Sequence, residues 1–256
     1  MAHIAPDAVP PRLADNETRI RRLGREVDKV VVEDFADIRH LTAAGFMQRL
    51  ADRYSVSLLL LGYDTRFGSD MPRSHSVYAA AAAAAGITVI FCDDAEHTGT
   101  GAVIASSGIR KALSQGNVSA AADMLGRPYA LTGTVIAGRR QGRTIGFPTA
   151  NIAVADARVA MPRAGVYACR AAAVAGDGTR LFSPRPAMVN IGTCPTFTPG
   201  SCRQTIEAHI PGFSGDLYGA TLTLEFIRRL RDEQRFPSVE ALRRQLEKDA
   251  EETLKG

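Results

Sequence analysis

Hydrophobic positions in the first half of the chain fall in short continuous runs, separated by segments with helical periodicity. Continuous apolar runs of this length are typical of strands buried on both faces, and helices between them favour a parallel α/β sheet. Strands are predicted at residues 29–32, 57–61 and 87–92. Helices are predicted at residues 16–24, 42–52, 74–85, 107–114 and 118–125.

The pattern changes after Gly126-Arg127-Pro128, where short β-rich runs alternate with Gly and Pro. This predicts a closed barrel of Greek-key type. The predicted strands are 129–137, 149–154, 165–174, 187–191, 204–210 and 220–228, followed by a helix over 238–254 with Ser238 as its N-cap. We therefore expect an α/β domain over residues 1–126 and a barrel with a C-terminal helix over residues 127–256.

Composition and charge narrow the class of partner. A hydrophobic content of 45% and a charged content of 23% are ordinary for a soluble globular protein. The net charge of +4 is mild and both signs are interspersed, which gives nucleic-acid binding little support. No apolar run is long enough to span a membrane, and the cysteines lack metal-binding spacing. We expect a cytoplasmic protein with free thiols.

The stretch from Gly142 to Asn151 carries the first candidate chemistry. In an extended strand, Thr149 and Asn151 project from the same face, and their neutral oxygens suit Mg²⁺ that carries nucleotide phosphates. The glycines upstream allow backbone N–H groups to approach an anion closely. This pattern favours phosphoryl transfer, and a Gly/Pro turn that merely begins a strand is the alternative.

Ordered sequence blocks cover residues 127–254. They are Gly133-x-Val135-x-x-Gly138, Gly142-Arg143-x-x-Gly146-Phe147-Pro148-Thr149-Ala150-Asn151, Gly165-Val166-Tyr167-Ala168, Asn190-Ile191-Gly192-Thr193-x-Pro195-Thr196-Phe197, Ile206-Glu207-Ala208-His209, Asp216-Leu217-Tyr218-Gly219 and Leu230-Arg231-x-Glu233-x-x-Phe236. Together they resemble the signature of riboflavin kinases. The resemblance implies transfer of the γ-phosphate of ATP to the 5′-hydroxyl of riboflavin, giving FMN and ADP with Mg²⁺ as cofactor.

The same resemblance implies roles for single residues. Glu207 is the general base that takes the proton of the ribityl hydroxyl, although a solvent-exposed strand glutamate is the alternative. His209 is assigned a packing or hydrogen-bonding role. Residues 211–216 form a flap over the nucleotide, with a plain hairpin loop as the alternative. The implied magnesium pair is Thr149 and Asn151, the ATP-binding residues are Gly142, Arg143, Gly146, Pro148, Thr149 and Tyr218, and the flavin-binding residues are Arg231 and Glu233.

The N-terminal half resembles the FMN adenylyltransferase module that usually precedes the kinase in bacteria. Its motifs are Gly62-Tyr63-Asp64-x-Arg66-Phe67-Gly68 and Ser106-Ser107-Gly108-Ile109-Arg110, and Gly108 replaces a usual hydroxyl residue. The resemblance implies a Rossmann-like nucleotidyltransferase domain. Its vestigial site residues would be Asp64, Arg66, Phe67, Ser106, Ser107 and Arg110.

One family feature is missing from these residues. The Gly-x-Phe-Asp-Gly-x-His-x-Gly-His loop of the family is absent, and the histidines His3, His40, His75, His97 and His209 are far apart. The resemblance therefore implies an incomplete nucleotidyltransferase module with impaired adenylyl transfer, in which the incomplete sheet exposes apolar surface. A fully bifunctional riboflavin kinase/FAD synthetase and a non-catalytic flavin-binding module are the alternatives.

Overall fold

The structure is a computed structural model that describes residues 9–72, 74–92, 97–99, 101, 103–138, 141–195 and 202–255. The chain forms two compact units, one over residues 20–96 and the other made of the residues up to 19 and from 97 onward. The helices are α1 (Asn16–Leu23), α2 (Phe35–Ile38), α3 (Ala43–Tyr54), α4 (His75–Ala84), α5 (Ser106–Ser114), α6 (Val118–Leu125), α7 (Gln141–Thr144) and α8 (Val239–Leu254). The strands are β1 (Leu58–Leu61), β2 (Thr88–Phe91), β3 (Tyr129–Ile136), β4 (Thr149–Ala153), β5 (Gly165–Val174), β6 (Arg180–Pro195), β7 (Cys202–His209) and β8 (Thr221–Arg231).

The unit over residues 20–96 is built on a short parallel sheet. β1 and β2 pair in register from Leu58 opposite Thr88 to Leu61 opposite Phe91. α3 and α4 pack together, and α4 also packs on β2, which buries Met47 and Tyr78 among others. The α/β character predicted for this region is therefore confirmed. The side chain of Leu60 in β1 is 65% exposed.

The strand predicted at residues 29–32 is wrong. These residues are irregular, Val32 is 67% exposed, and no ladder partner exists within the described residues. The Glu33 carboxylate is held by the Arg49 guanidinium at 3.0 and 3.2 Å and by the Tyr54 hydroxyl, so the chain runs beside α3 rather than along the sheet. Hydrogen bonds from Arg49 and Tyr54 lower the pKa of Glu33 to about 2. The apolar run had β propensity but no strand to pair with.

The second unit contains a closed antiparallel barrel with the strand order β3-β4-β7-β6-β5-β8, and β8 pairs with β3 to close it. β5, β6 and β7 are consecutive neighbours and β8 returns beside β5, which is the Greek-key connection that the sequence predicts. Its core is apolar, and the largest fully buried side chains of the barrel are Tyr129, Leu131, Tyr167, Val189, Ile191, Leu222, Leu224 and Phe226.

Every predicted barrel strand is present, and β6 is longer than predicted. The predicted strand begins at residue 187, whereas β6 begins at Arg180 and includes Pro184 and Pro186. β6 pairs with β7 only from Met188 onward, so these prolines lie where one edge of the strand has no ladder partner. Proline is tolerated at such an edge because no backbone N–H is needed there.

Elements before residue 127 also pack on the barrel. α5 and α6 contribute Ile109, Leu113 and Val118 to its core cluster. The backbone of Arg12 pairs with the segment before β5, donating to Arg158 O at 2.6 Å and accepting from Ala160 N at 2.7 Å. Residues on both sides of 126–128 therefore belong to one compact unit. The domain boundary predicted there stays a prediction. Among the described helices, none has an apolar stretch long enough to cross a membrane.

Candidate active site

Two cavities in the barrel unit share the side chain of Thr149. The flap cavity, about 670 Å³, is lined by Arg143 and Pro148, by flap residues 213–216 and by the two residues that follow the flap, Leu217 and Tyr218. Val135, Ala150, Ala208 and Ile210 line it from the barrel. The helix cavity, about 600 Å³, is lined by β7 and β8 residues, by the loop at α7 and by the apolar side of α8. The shared residue makes Thr149 part of the wall between the two cavities.

The register of β4, β7 and β6 brings the polar candidates together. Asn151 lies opposite Glu207 on one side, and Asn190 lies opposite Glu207 on the other. Thr149 lies opposite His209 in the same ladder. Cross-strand partners share a face, so these side chains form one polar group on the outer face of the barrel. Glu207 itself lines the helix cavity and is half-buried.

Side chains along β7 alternate between the barrel core and the helix cavity. Ile206, Ala208 and Ile210 are buried in the barrel core, while Glu207 and His209 line the helix cavity. The apolar residues therefore hold the two polar side chains toward the cavity.

Gly138 and Gly142 allow close approach of the backbone, whereas Gly146 has a φ of +86° with nothing within 4 Å of an added Cβ, so it serves the left-handed conformation. A Cβ at Gly142 would lie 2.1 Å from the carbonyl oxygen of Phe147, whose N–H donates to Gly142 O at 2.8 Å. A Cβ at Gly138 would lie 2.0 Å from Nδ2 of Asn151 and 2.9 Å from its Oδ1. The carboxamide of Asn151 thus packs against the backbone of Gly138, and its nitrogen is nearer than its oxygen to the added Cβ. Within the described residues, Gly142 lines the helix cavity and Gly146 lines neither cavity.

The flap is seated on β6 by aromatic contacts. The Phe213 ring lies 4.9 Å from the Phe182 ring, and the Arg185 guanidinium lies 5.4 and 6.0 Å from the two ring centres. Such cation–π contacts stabilise a packed position of the loop. Tyr218, predicted near the nucleotide, lines the flap cavity, and its backbone N–H donates to Asp216 at 2.9 Å.

An ion pair joins the helix cavity to α8. Arg231 donates to Asp249 Oδ2 through Nε at 2.9 Å and Nη2 at 2.7 Å, and the two side chains are only 18% and 5% exposed. Gln245 donates to the other carboxylate oxygen at 2.8 Å. Arg231, predicted as a flavin-binding residue, therefore lines the cavity while its charge is neutralised by the helix.

The other predicted flavin-side residue, Glu233, lies at the same wall. Its Oε1 accepts from Asn190 Nδ2 at 3.4 Å. The facing wall is apolar and consists of Phe236, which precedes α8, and of Val239, Leu242 and Leu246 in α8. Asn190 and Asp249 are not among the site residues predicted from the sequence. The pairing register of β6 and β7 would have placed Asn190 beside Glu207. The position of Asp249 beside Arg231 depends on how α8 packs, which the sequence pattern does not give.

The candidates from the N-terminal motifs lie in different compact units. Phe67 packs between Phe46 and Tyr78, at 5.4 and 4.8 Å between ring centres, and Asp64 and Arg66 are exposed. Ser106 and Ser107 begin α5 and are exposed, whereas Arg110 Nε donates to Pro11 O at 2.6 Å. Phe67 and Arg110 thus have structural partners within their own units.

The part of the chain that the structure describes offers few side chains for binding a metal ion or for thiol chemistry. It contains no cluster of three or more His, Cys, Asp or Glu side chains that could hold a metal ion. Cys92 and Cys169 are free, and burial raises the pKa of the Cys169 thiol. Thr196 and Phe197 of the sequence motif lie outside the described residues.

Comparison with known proteins gives matches along both halves. A family model described as riboflavin kinase matches residues 125–255, and one described as FAD synthetase matches residues 1–107. The bifunctional riboflavin kinase/FMN adenylyltransferase of Haemophilus influenzae is 34% identical over 94% of this chain and 76% of its own length. That of Escherichia coli K12 is 35% identical over 96% of this chain and 75% of its own.

A solved structure also matches the fold. The crystal structure of a protein described as a macrolide-efflux protein from Streptococcus pneumoniae aligns with a TM-score of 0.78 at 30% identity. The alignment covers 95% of this chain and 75% of that one. The arrangement of elements described above is therefore shared across nearly the whole chain.

The Arg231–Asp249 pair predicts a large loss of stability when one partner is removed. Asp249→Leu should lower the free energy of unfolding by about 3–5 kcal/mol, because the guanidinium stays buried without a counter-charge. Urea unfolding followed by circular dichroism measures this. Glu247→Ala, which breaks the exposed pair with Arg243, is the control and should cost less than about 1 kcal/mol. Equal losses in the two variants would contradict the prediction.

Proposed function

This chain belongs to the family of bifunctional riboflavin kinase/FMN adenylyltransferases, and we propose that its barrel phosphorylates the 5′-hydroxyl of riboflavin with ATP, giving FMN and ADP. The observation that carries this proposal is the wall shared by the two cavities at Thr149. A donor in one cavity and an acceptor in the other would meet at this wall. Holding two substrates in such an arrangement can lower a barrier by about 7–11 kcal/mol.

The linings support one assignment of substrates to cavities. The flap cavity offers the positive charge of Arg143 and a loop that can cover a nucleotide. The helix cavity offers an apolar wall of Phe236, Val239, Leu242 and Leu246, which suits a flat aromatic ring system. Polar groups lie at its other side, where Glu207 and Asn190 can meet a ribityl chain. ATP is therefore assigned to the flap cavity and riboflavin to the helix cavity.

Glu207 is the proposed general base. Its carboxylate lines the acceptor side and lies in register with Asn151, beside the wall at Thr149. The ribityl oxygen attacks the γ-phosphorus as its proton passes to the carboxylate, and the bond from phosphorus to the oxygen of ADP breaks. A positioned base of this kind contributes about 10²–10⁴-fold in rate.

Thr149 and Asn151 fit the magnesium ion that such a reaction uses. They supply a hydroxyl and a carboxamide oxygen on one face of β4. Neutral hard oxygens suit Mg²⁺, which keeps waters and takes further ligands from nucleotide phosphates. When bound, the ion would neutralise phosphate charge in the transition state.

The substrates of this reaction are small molecules. The mixed surface charge gives no support to a nucleic-acid partner. We propose the cytoplasm as the compartment, because the reaction consumes ATP and a free buried thiol suits reducing conditions.

Glu207→Gln should lower kcat for FMN formation by about 10²–10⁴-fold, since the amide cannot accept the proton. The KM for riboflavin should change little because size and polarity are kept. Chromatographic quantification of FMN over time measures both constants. Glu225→Gln, at an exposed pair with Arg170, is the matched control and should keep the native rate. Full activity in the Glu207 variant would refute its role as base.

Thr149→Val should raise the Mg²⁺ concentration needed for half-maximal rate by about 10-fold or more, because a ligand oxygen is replaced by a methyl group of similar size. The measurement is FMN formation across a magnesium titration. Thr132→Val, on β3 and hydrogen-bonded to Thr223 at 3.1 Å, is the control and should leave the titration unchanged. If both variants titrated alike, Thr149 would not be a ligand.

We further propose that a polypeptide of these residues is weak in adenylyl transfer. The match to the FAD synthetase model supports the parentage of residues 1–107, but the histidine loop of that family is not among the 256 residues. Full bifunctionality is the competing hypothesis. The two differ only in the FAD-forming step, so that step distinguishes them.

With purified protein, FAD formation from FMN and ATP should be about 10²-fold or more slower than FMN formation from riboflavin, since a single positioned electrostatic group is typically worth that much. Both products are separated by chromatography from parallel reactions. Comparable rates for the two steps would support full bifunctionality and overturn this part of the proposal.

A further inference from the structure

One buried polar side chain of the helix cavity has no role in the chemistry proposed above. His209 follows Glu207 by two residues in β7, lies on the same face, and is only 8% exposed. Buried polar groups need hydrogen-bond partners, so the partner of this ring indicates what it does.

The partner is a backbone carbonyl of the loop that separates the cavities. His209 Nδ1 lies 2.9 Å from the oxygen of Pro148. A carbonyl oxygen can only accept, so Nδ1 carries the hydrogen and donates. The ring also packs on Phe147, with 5.1 Å between ring centres and an interplanar angle of 57°. His209 therefore holds two consecutive residues at the end of the loop.

This loop forms the wall between the two cavities. Residues 142, 144, 145 and 147 line the helix cavity, residues 143 and 148 line the flap cavity, and Thr149 lines both. The loop end at Pro148 leads directly into β4, where Thr149 lies opposite His209. A bond from β7 to this point thus fixes the wall relative to the strand that carries Glu207.

We propose that His209 is a positioning residue for phosphoryl transfer, because its Nδ1–H bond to Pro148 holds the wall between the cavities at a set distance from Glu207. The inference rests on the proposed kinase function. The reacting atoms must approach to about 3–3.5 Å, and a displacement of about 1 Å can cost about 10²-fold in rate. Loss of the bond should therefore lower kcat more than it changes either KM.

The test compares three substitutions in the full chain. Asn places an amide N–H near the position of Nδ1, whereas the longer Gln places it near Nε2, and Ala removes both. His209→Ala should lower kcat about 10–10²-fold with each KM within about threefold. His209→Asn should regain most of this loss and His209→Gln little of it. The comparison of Asn with Gln stands even if the Ala variant fails to fold.

Hydrogen–deuterium exchange gives a second readout that does not depend on turnover. Amides of residues 141–149 should exchange faster in His209→Ala and His209→Gln than in the native chain, and His209→Asn should restore protection. Glu207→Gln should lose activity while keeping this protection. Full kcat in His209→Ala, rescue by Gln rather than Asn, or unchanged exchange would overturn the proposal.

The two proposals fail in different ways. If the native chain formed no FMN, the kinase function would fail, while loop exchange would still report on the His209–Pro148 bond. If Glu207→Gln kept full activity, the base assignment would fail without affecting the His209 series. If the His209 variants alone behaved like the native chain, only the positioning role would fall.

Discussion

The proposed active site depends on the pairing register of three barrel strands. Glu207 lies between Asn151 of β4 and Asn190 of β6, and Thr149 lies opposite His209 in the same ladder. Because side chains alternate between the two faces of a strand, a slip of one residue would turn this whole polar group inward. The catalytic geometry is therefore a property of the ladder as a whole and not of any single motif.

The hydrophobic core is what holds this register. Ile206 in β7 and Ile210, which directly follows it, lie in the barrel core on the face opposite Glu207. Exposing both would cost about 1.5–3 kcal/mol each, and the same slip would bury a carboxylate without a partner. Both costs oppose a slip in register. The apolar residues between the polar ones are therefore as important for the geometry of the site as the polar residues themselves.

The sequence predicted most of the barrel because its information there is local. Alternation in β7 and Gly/Pro punctuation between strands identify the elements without knowledge of their neighbours. The strand expected at residues 29–32 failed for the opposite reason, because an apolar run becomes a strand only with a partner, and Glu33 instead bonds to α3. The predicted list of site residues was similarly limited. It could not include Asp249, whose place beside Arg231 depends on how a helix packs many residues away.

The site divides its tasks between rigid and movable elements. Glu207, Asn151 and Asn190 lie on strands whose backbones are paired on both sides, where side chains are held most accurately. The walls of the two cavities are instead a loop, a flap seated by Phe213, and α8 held by an ion pair. Enclosure and release must involve motion, and such steps often limit turnover in well-adapted enzymes. The bond from His209 to Pro148 connects one of these walls to the ladder. The barrel can therefore keep the reacting groups in place while the elements around it open and close.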